Sequence, residues 1–344
     1  MDIKSAIRFF EKRVIFIYSL PYFTNMDLID KKIICELDLN CRTPLSKIAK
    51  KLRIGRNVLD YRIKKLEKEG VITDYICSVN LGKLGYKNYK VYCKIKSLTP
   101  SKEKELIEFI KSEKRVINFI KTEGSFDYAF VVASQSIKEL DIILTRFKEK
   151  FRDVLQDYIV SIVVSSKIFK LSKLLLGEKK EMIKFDRYVE EDKDIIIDDK
   201  DRKILEVLSK QANISIIDLS EKTGYSLDVV KYRLKDLTSR VIGSFRIITD
   251  MGKLGFFHYV IMLKIRNASS KEEEELINWC ANKRNIIYVT KRIGFFDYEL
   301  NVAITDINDL NSFFSELKSK FGNIIEAHEL IMNTELIKLN YLPL

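Results

Sequence analysis

The 344-residue chain is 46% hydrophobic and 32% charged and carries a formal net charge of +12. This is the make-up of a soluble globular protein with room for roughly two to four cores, and no apolar run approaches the roughly 18–20 residues needed to span a bilayer. The five cysteines form no C-x-x-C pair and only two histidines are present, which argues against a structural zinc site and fits a reducing cytoplasm.

Residues 1–25 form an N-terminal extension. Val14–Phe23 is apolar and follows Lys12 and Arg13 as in a signal peptide, but it lacks a small-residue cleavage site and Pro21 interrupts it. A packing arm is expected, or a translation start at Met26. From residue 26 the pattern turns helical. Leu28, Ile29, Ile33, Ile34 and Leu37 outline the core face of a first helix, with Asp27 or Asp30 near its start where negative charge suits the dipole. Thr43-Pro44 opens a second helix, in which Leu45, Ile48, Ala49 and Leu52 have the i, i+3, i+4, i+7 spacing of one buried face. A third helix over 56–69 buries Leu59, Ile63 and Leu66, and Gly70 stops it before Val71 and Ile72 open the first strand of a hairpin. Two short helices so related form a helix-turn-helix, here spanning 26–82.

Beyond Gly85 the period changes. Tyr89–Lys96 alternates as a strand, Glu103–Ser112 is helical, and Arg115–Lys121 and Phe126–Ala133 are strands joined at Glu123-Gly124-Ser125. A helix over Ile137–Lys150 and a strand over Val154–Val164 complete βαββαβ, a ferredoxin-like αβ domain spanning 83–172. Its small open sheet favours pairing with a second one. Residues 173–198 break both periods and read as a linker.

The chain then begins again. Asp201-Arg-Lys-Ile-Leu repeats Asp30-Lys-Lys-Ile-Ile at an offset of 171, while Met251-Gly-Lys-Leu-Gly and Gly294-Phe-Phe-Asp-Tyr repeat Leu81-Gly-Lys-Leu-Gly and Gly124-Ser-Phe-Asp-Tyr at 170. One residue is therefore lost near Thr238–Arg240. Matching motifs at one spacing establish internal duplication, with a second helix-turn-helix over 199–252 and a second αβ domain over 253–344. The fold class is α+β, in two tandem repeats.

Charge follows the repeats. Residues 26–98 carry a net +9 and 199–266 a net +5, whereas 267–344 carry −4. Opposite the buried side of the third helix lie Asn57, Tyr61, Lys64 and Lys68, with Arg53 and Arg56 at its N-terminal end. An amide, a phenol and several cations can read base edges and hold phosphates of double-stranded DNA. An isolated helix of this kind would be a solvated face, but its position in a basic helix-turn-helix favours DNA. The second copy offers Ser226, Lys231, Tyr232 and Lys235 but puts Asp228 where the first has Asn57 and Ser239 where it has Lys68, which weakens phosphate contact. Ser226 is a better N-cap than Gly55, and Gly224 supplies a turn where the first copy has Arg53.

Gly124-Ser125-Phe126-Asp127-Tyr128 and Gly294-Phe295-Phe296-Asp297-Tyr298 sit at strand turns. A carboxylate there could hold an ammonium group, although an Asp in a tight turn more often caps its own backbone. Catalytic motifs are lacking: no H-x-x-x-H, G-x-S-x-G, phosphate-binding glycine loop or Cys/His pair appears. His258 and His328 read as surface or sheet residues.

Asp30-x-x-Ile33-Ile34, Leu45-x-x-Ile48-Ala49, Tyr61-Arg62-Ile63-x-x-Leu66-Glu67 and Gly70-Val71-Ile72 resemble the N-terminal domain of Lrp/AsnC transcription regulators. Gly124-x-x-Asp127-Tyr128 within βαββαβ resembles their effector and oligomerisation domain. The resemblance covers roughly 26–172 and 199–344 and implies a winged helix-turn-helix DNA-binding regulator without a cofactor, fused as an internal pseudo-dimer that self-associates through the αβ domains as a homodimer or higher assembly. It also implies that an amino acid or related metabolite binds at Gly124, Ser125 and Asp127, and at Gly294, Phe296 and Asp297, the second pocket being the more apolar. A side branch of the superfamily resembles sirohaem decarboxylases, which use histidines of the αβ domain; the scarcity of histidine and the basic first helix-turn-helix disfavour it. A non-specific architectural DNA-binding protein is the third reading.

Overall fold

A computed structural model describes residues 25–178 and 195–343; the packing arm over the first 24 residues and the middle of the expected linker lie outside that range. The first unit opens with α1 (Leu28–Leu39), α2 (Leu45–Leu52) and α3 (Arg56–Lys68). Asp27 caps α1 by accepting the Asp30 N–H at 2.8 Å while Asp30 returns the bond, a capping box that fixes where the helix starts. Ile33, Ile34 and Leu37 are buried as the periodicity predicts, but Leu28 is 58% exposed, because the first helical turn projects past the edge of the core. β1 (Ile72–Val79), a 3₁₀ turn over Gly82–Leu84 and β2 (Lys87–Ile95) follow. The αβ domain continues with α4 (Pro100–Ser112), β3 (Val116–Gly124), β4 (Tyr128–Ser134), α5 (Ile137–Phe151) and β5 (Leu155–Ile168), and then the short α6 (Leu171–Leu176).

The second unit repeats this as α7 (Asp199–Lys210), α8 (Ile216–Thr223), α9 (Leu227–Arg240), β6 (Ile242–Thr249), β7 (Phe257–Ile265), α10 (Ser270–Asn282), β8 (Ile286–Ile293), β9 (Tyr298–Ile304), α11 (Ile307–Phe321) and β10 (Ile325–Leu339). The residue lost in the second copy falls at the end of α9. Where the first copy turns through Gly70 at φ +70°, α9 runs on to Arg240 and Val241 follows directly.

Three strand pairings join the units. β1 does not form the expected hairpin; it lies antiparallel to β6, with Tyr75 opposite Ile247 and Cys77 opposite Phe245. The 3₁₀ turn and Gly85, at φ +77°, redirect the chain from β1 into a different sheet, so sequence neighbours are not strand neighbours there. The two helical heads consequently share one core, which includes Ile33, Leu59, Ile204, Leu234 and Phe245. Each fully buried Leu or Ile contributes about 1.5–3 kcal/mol relative to exposure.

The αβ sheets meet edge to edge as a closed eight-stranded barrel, β10-β3-β4-β2-β5-β8-β9-β7. β5 runs past its expected end at residue 164 to Ile168, so that its first half pairs with β2 and its second half with β8. β10 divides in the same way between β7 and β3. The expected linker also begins too early at 173. Leu171, Lys173, Leu174 and Leu175 are buried in α6, and Lys173 donates to the Cys280 carbonyl. All five cysteines are free and buried, and burial holds their thiols high, Cys35 and Cys41 at about 12.

Candidate nucleic-acid interface and barrel cavity

Helix α3 has no side-chain cap at Gly55, and α2 ends on Arg53 in the left-handed region at φ +56°, a conformation that costs a non-glycine residue about 1 kcal/mol. With Leu59, Ile63 and Leu66 buried, the opposite face presents Asn57, Tyr61, Lys64 and Lys68 to solvent, and Arg53 and Arg56 stand exposed at its start. Lys64 pairs with Asp60 one turn back at 2.6 Å, which raises its pKa; an exposed pair of this kind is weak and leaves the ammonium available to phosphate. Arg62 is committed elsewhere. Its guanidinium holds Asp27 at 2.8 Å and Asp30 at 2.7 Å, tying α3 to the start of α1.

Helix α9 is better built and less basic. Ser226 caps it, Gly224 takes the left-handed turn at φ +73°, and Val230, Leu234 and Leu237 are buried. Ser226, Lys231, Tyr232 and Lys235 are exposed, as is Asp228, which lies 4.0 Å from Lys231. Arg233 repeats the role of Arg62 against Asp198 and Asp201. Arg240, standing where the first copy has its glycine, pairs with Asp236 and Asp201.

The heads are fastened to one another. Arg42 donates to the carbonyls of Ala212 and Ile214, both at 2.7 Å, and Arg246 holds the buried Asp38 at 2.6 Å. Lys253 donates to the Glu69 carbonyl beside Gly70. These cross-unit contacts fix the heads that carry α3 and α9 relative to each other.

The glycine turns lie at the barrel seams. A Cβ on Gly124, at φ +119°, would fall 2.7 Å from the Leu330 carbonyl oxygen of β10, and one on Gly294, at φ +142°, 3.1 Å from that of Val160 in β5. The Asp127 carboxylate accepts the Ile95 N–H at 2.8 Å and approaches Lys94; Asp297 does the same with Ile265 at 2.7 Å and Lys264. Both carboxylates thus cap their own sheets. Ser125 donates to Glu329 across the seam. Phe296 is buried among Tyr92, Val260, Met262 and Ile331, while Phe295 stays exposed.

Lys90, in the alternating strand β2, is only 6% exposed and lines the barrel cavity. Its ammonium meets Glu299 at 2.9 Å, the Tyr92 hydroxyl donates to the same carboxylate at 2.5 Å, and Arg292 pairs with it too. Burial alone would raise the Glu299 carboxyl, but Arg292 and Lys90 outweigh it and hold the group well below the usual carboxylate range. His258 borders the same space, bonded to Asn301 at 2.9 Å and near Asn333; burial depresses its pKa to about 4. It is a sheet residue, as expected, though one facing the interior. His328 packs its ring on Phe314. The cluster borders a cavity of ≈ 880 Å³ between the open end of the barrel and β6. Lys90, Arg292 and Glu299 escaped the sequence reading, yet one signal was there: Glu299 sits where the first copy has Ala129.

A winged helix-turn-helix DNA-binding family matches residues 26–73 and 197–240. Over 127 residues, 36% of this chain and 82% of the relative, the sequence is 29% identical to an uncharacterized HTH-type transcriptional regulator of Pyrococcus furiosus. It is 27% identical over 122 residues, 35% of this chain and 79% of the relative, to the regulatory protein AsnC of Haemophilus influenzae. Among solved structures, the siroheme decarboxylase NirDL covers 91% of this chain and 93% of its own, with a TM-score of 0.61 and 13% identity, a likeness of fold alone.

Proposed function

We propose that the chain is a tandem, two-unit member of the Lrp/AsnC family and a sequence-specific, double-stranded-DNA-binding regulator of transcription acting in the cytoplasm. The observation that carries this reading is the pair of exposed recognition helices, α3 and α9, on heads bonded into one body. Groove insertion of α3, with Asn57, Tyr61 and Lys64 reading bases and Arg53, Arg56 and Lys68 on phosphates, supplies specificity. The second head, through Ser226, Lys231, Tyr232 and Lys235, adds phosphate contacts and geometry. A small metabolite bound at the αβ domains would shift the spacing of the heads or the assembly of chains, and so site occupancy. The family resemblance directs attention for such a ligand to Gly124, Ser125 and Asp127 and to Gly294, Phe296 and Asp297. Selection of genomic DNA by the purified chain, with and without an amino-acid panel, tests the reading; no enriched motif under any condition overturns it. Enriched and random duplexes that compete equally across a salt series would instead mark an architectural protein.

A second reading, chemistry on a sirohaem-like tetrapyrrole, draws on the whole-chain likeness to NirDL and on the interior cavity. The scarcity of histidine argues against it, since His258 is the one histidine among the residues lining the cavity and His328 packs on Phe314 instead. An absorbance scan of the chain mixed with sirohaem separates the two readings: an unchanged spectrum leaves the regulator standing.

A further inference from the structure

The two heads are related by a local twofold axis that the strand pairing locates. At the 170-residue offset Tyr75 corresponds to Phe245 and Cys77 to Ile247. The observed pairs Tyr75–Ile247 and Cys77–Phe245 therefore exchange under the duplication, and the pair Ile76–Arg246 maps onto itself. Each recognition helix is clamped to its own head in the same way: Arg62 holds Asp27 and Asp30, and Arg233, its counterpart, holds Asp198 and Asp201. Heads so related meet a duplex as an inverted pair, and two identical reading faces would select a palindrome.

The faces are only partly alike. Tyr61 and Tyr232 correspond and stand 69% and 71% exposed, and Lys64 and Lys235 are exposed three residues further along. At the second residue of each helix the chemistry changes, from Asn57 on α3 to Asp228 on α9. Residues at the N-terminal end of a recognition helix are those that reach base edges. The Asp228 side chain is 98% exposed, and Lys231 lies 4.0 Å away, at the limit of ion pairing, so the carboxylate stays open to a further donor. Ser226 already caps α9. An acidic residue in the first turn also suits the helix dipole, but that role favours no base.

An amide and a carboxylate ask for different bases. Asn57 can donate to N7 and accept from N6 of adenine, whereas Asp228 can only accept, and the N4 amino group of cytosine is the donor that matches it. Opposite guanine or thymine a carboxylate meets acceptors alone and loses its water without a replacement donor. We propose that the DNA site of this chain is an inverted repeat broken at one step, with an A·T pair facing Asn57 in one half and a C·G pair facing Asp228 at the equivalent place in the other. The second head thus adds a base choice to its phosphate contacts. This inference rests on the regulator reading.

Selection from a random duplex pool by the full chain, repeated with Asp228→Asn and with Asn57→Asp, tests the proposal. The parent is expected to enrich two inverted half-sites that differ at that step. Asp228→Asn should turn the C·G pair into A·T and make the site palindromic there, and Asn57→Asp should do the same with C·G in both halves. In anisotropy competition at fixed salt, exchanging that C·G pair for A·T should weaken binding of the parent about tenfold, and Asp228→Asn should reverse the order of the two duplexes. A palindromic parental site, a site with one half only, or base preferences that Asp228→Asn leaves unchanged overturns the proposal while the regulator reading stands; the last outcome would assign Asp228 to the helix dipole alone. No enriched site with any of the three proteins sinks the regulator reading and this inference with it.

Discussion

Two buried residues report directly on the joined architecture. Asp38 is 1% exposed and is held by Arg246 of the other unit and by the Leu171 N–H. Arg246→Leu leaves that carboxylate without its counter-charge, at a cost of about 3–5 kcal/mol, whereas replacing both partners by apolar groups can be close to neutral. Chemical denaturation should therefore show Arg246→Leu far less stable than the double variant Asp38→Leu/Arg246→Leu; equal losses would mean that the ion pair does not join the heads. His258 gives a pH signature. It faces Asn301, Asn333, Tyr288, Lys90 and Glu299, and the folded ring takes a proton only below about 4, while an unfolded histidine does so near 6.5. Between those values the unfolded state binds more protons, so stability falls as pH drops through that window, by about 1.4 kcal/mol per unit of pKa difference. His328, also depressed by burial, adds in the same direction. Melting His258→Gln alongside the parent from pH 7 to 4 should show a shallower decline in the variant; parallel curves would place His258 in water.

The helices differ as elements in a way that sets unequal roles for the heads. Helix α3 combines a poor start at Gly55 with a cation-rich exposed face, and α9 a capped start at Ser226 with Asp228 on its reading side. Arg56→Ala with Lys64→Ala should accordingly weaken duplex binding more than Lys231→Ala with Lys235→Ala at one fixed salt, and each lost phosphate contact should reduce the salt slope by about 0.9. Equal losses in an anisotropy titration would contradict the asymmetry. The elements themselves were legible because helical periodicity marks buried residues such as Leu59 and Leu234 without knowledge of the partner. Strand partners were not. Nothing in Ile72–Val79 distinguishes pairing with the next strand from pairing with β6, because Ile76–Val79 are all buried and no alternation marks one face of the strand. Lys90 was illegible for a related reason, because alternation gives two faces but not which of them is wet, and closing the barrel buries both.

At the scale of the whole chain, closure of the barrel joins the two units through shared strands. The seams β5–β8 and β10–β3 form because each of two long strands serves both sheets, and the shared core of the heads adds a third link. Gly124 is the tightest point of one seam. A side chain there meets both the Leu330 carbonyl and a backbone at φ +119° that L-residues avoid. Gly124→Val should cost about 2 kcal/mol or more through strain and overpacking. Gly224→Ala, in open space at φ +73° on a head, bears only the strain of a left-handed alanine, about 1 kcal/mol. If the barrel and heads are one unit, both variants lower a single transition, detected alike by far-UV ellipticity and by the fluorescence of Trp279, which lies in the second αβ core. If Gly124→Val instead splits the melt, with the Trp279 signal keeping its parental midpoint, the seam joins two independently stable domains and cannot carry a signal from the αβ domains to the heads. Coincident transitions give the coupling that a regulator of this design needs, because a ligand at the αβ domains can move the recognition helices only through elements that the units share.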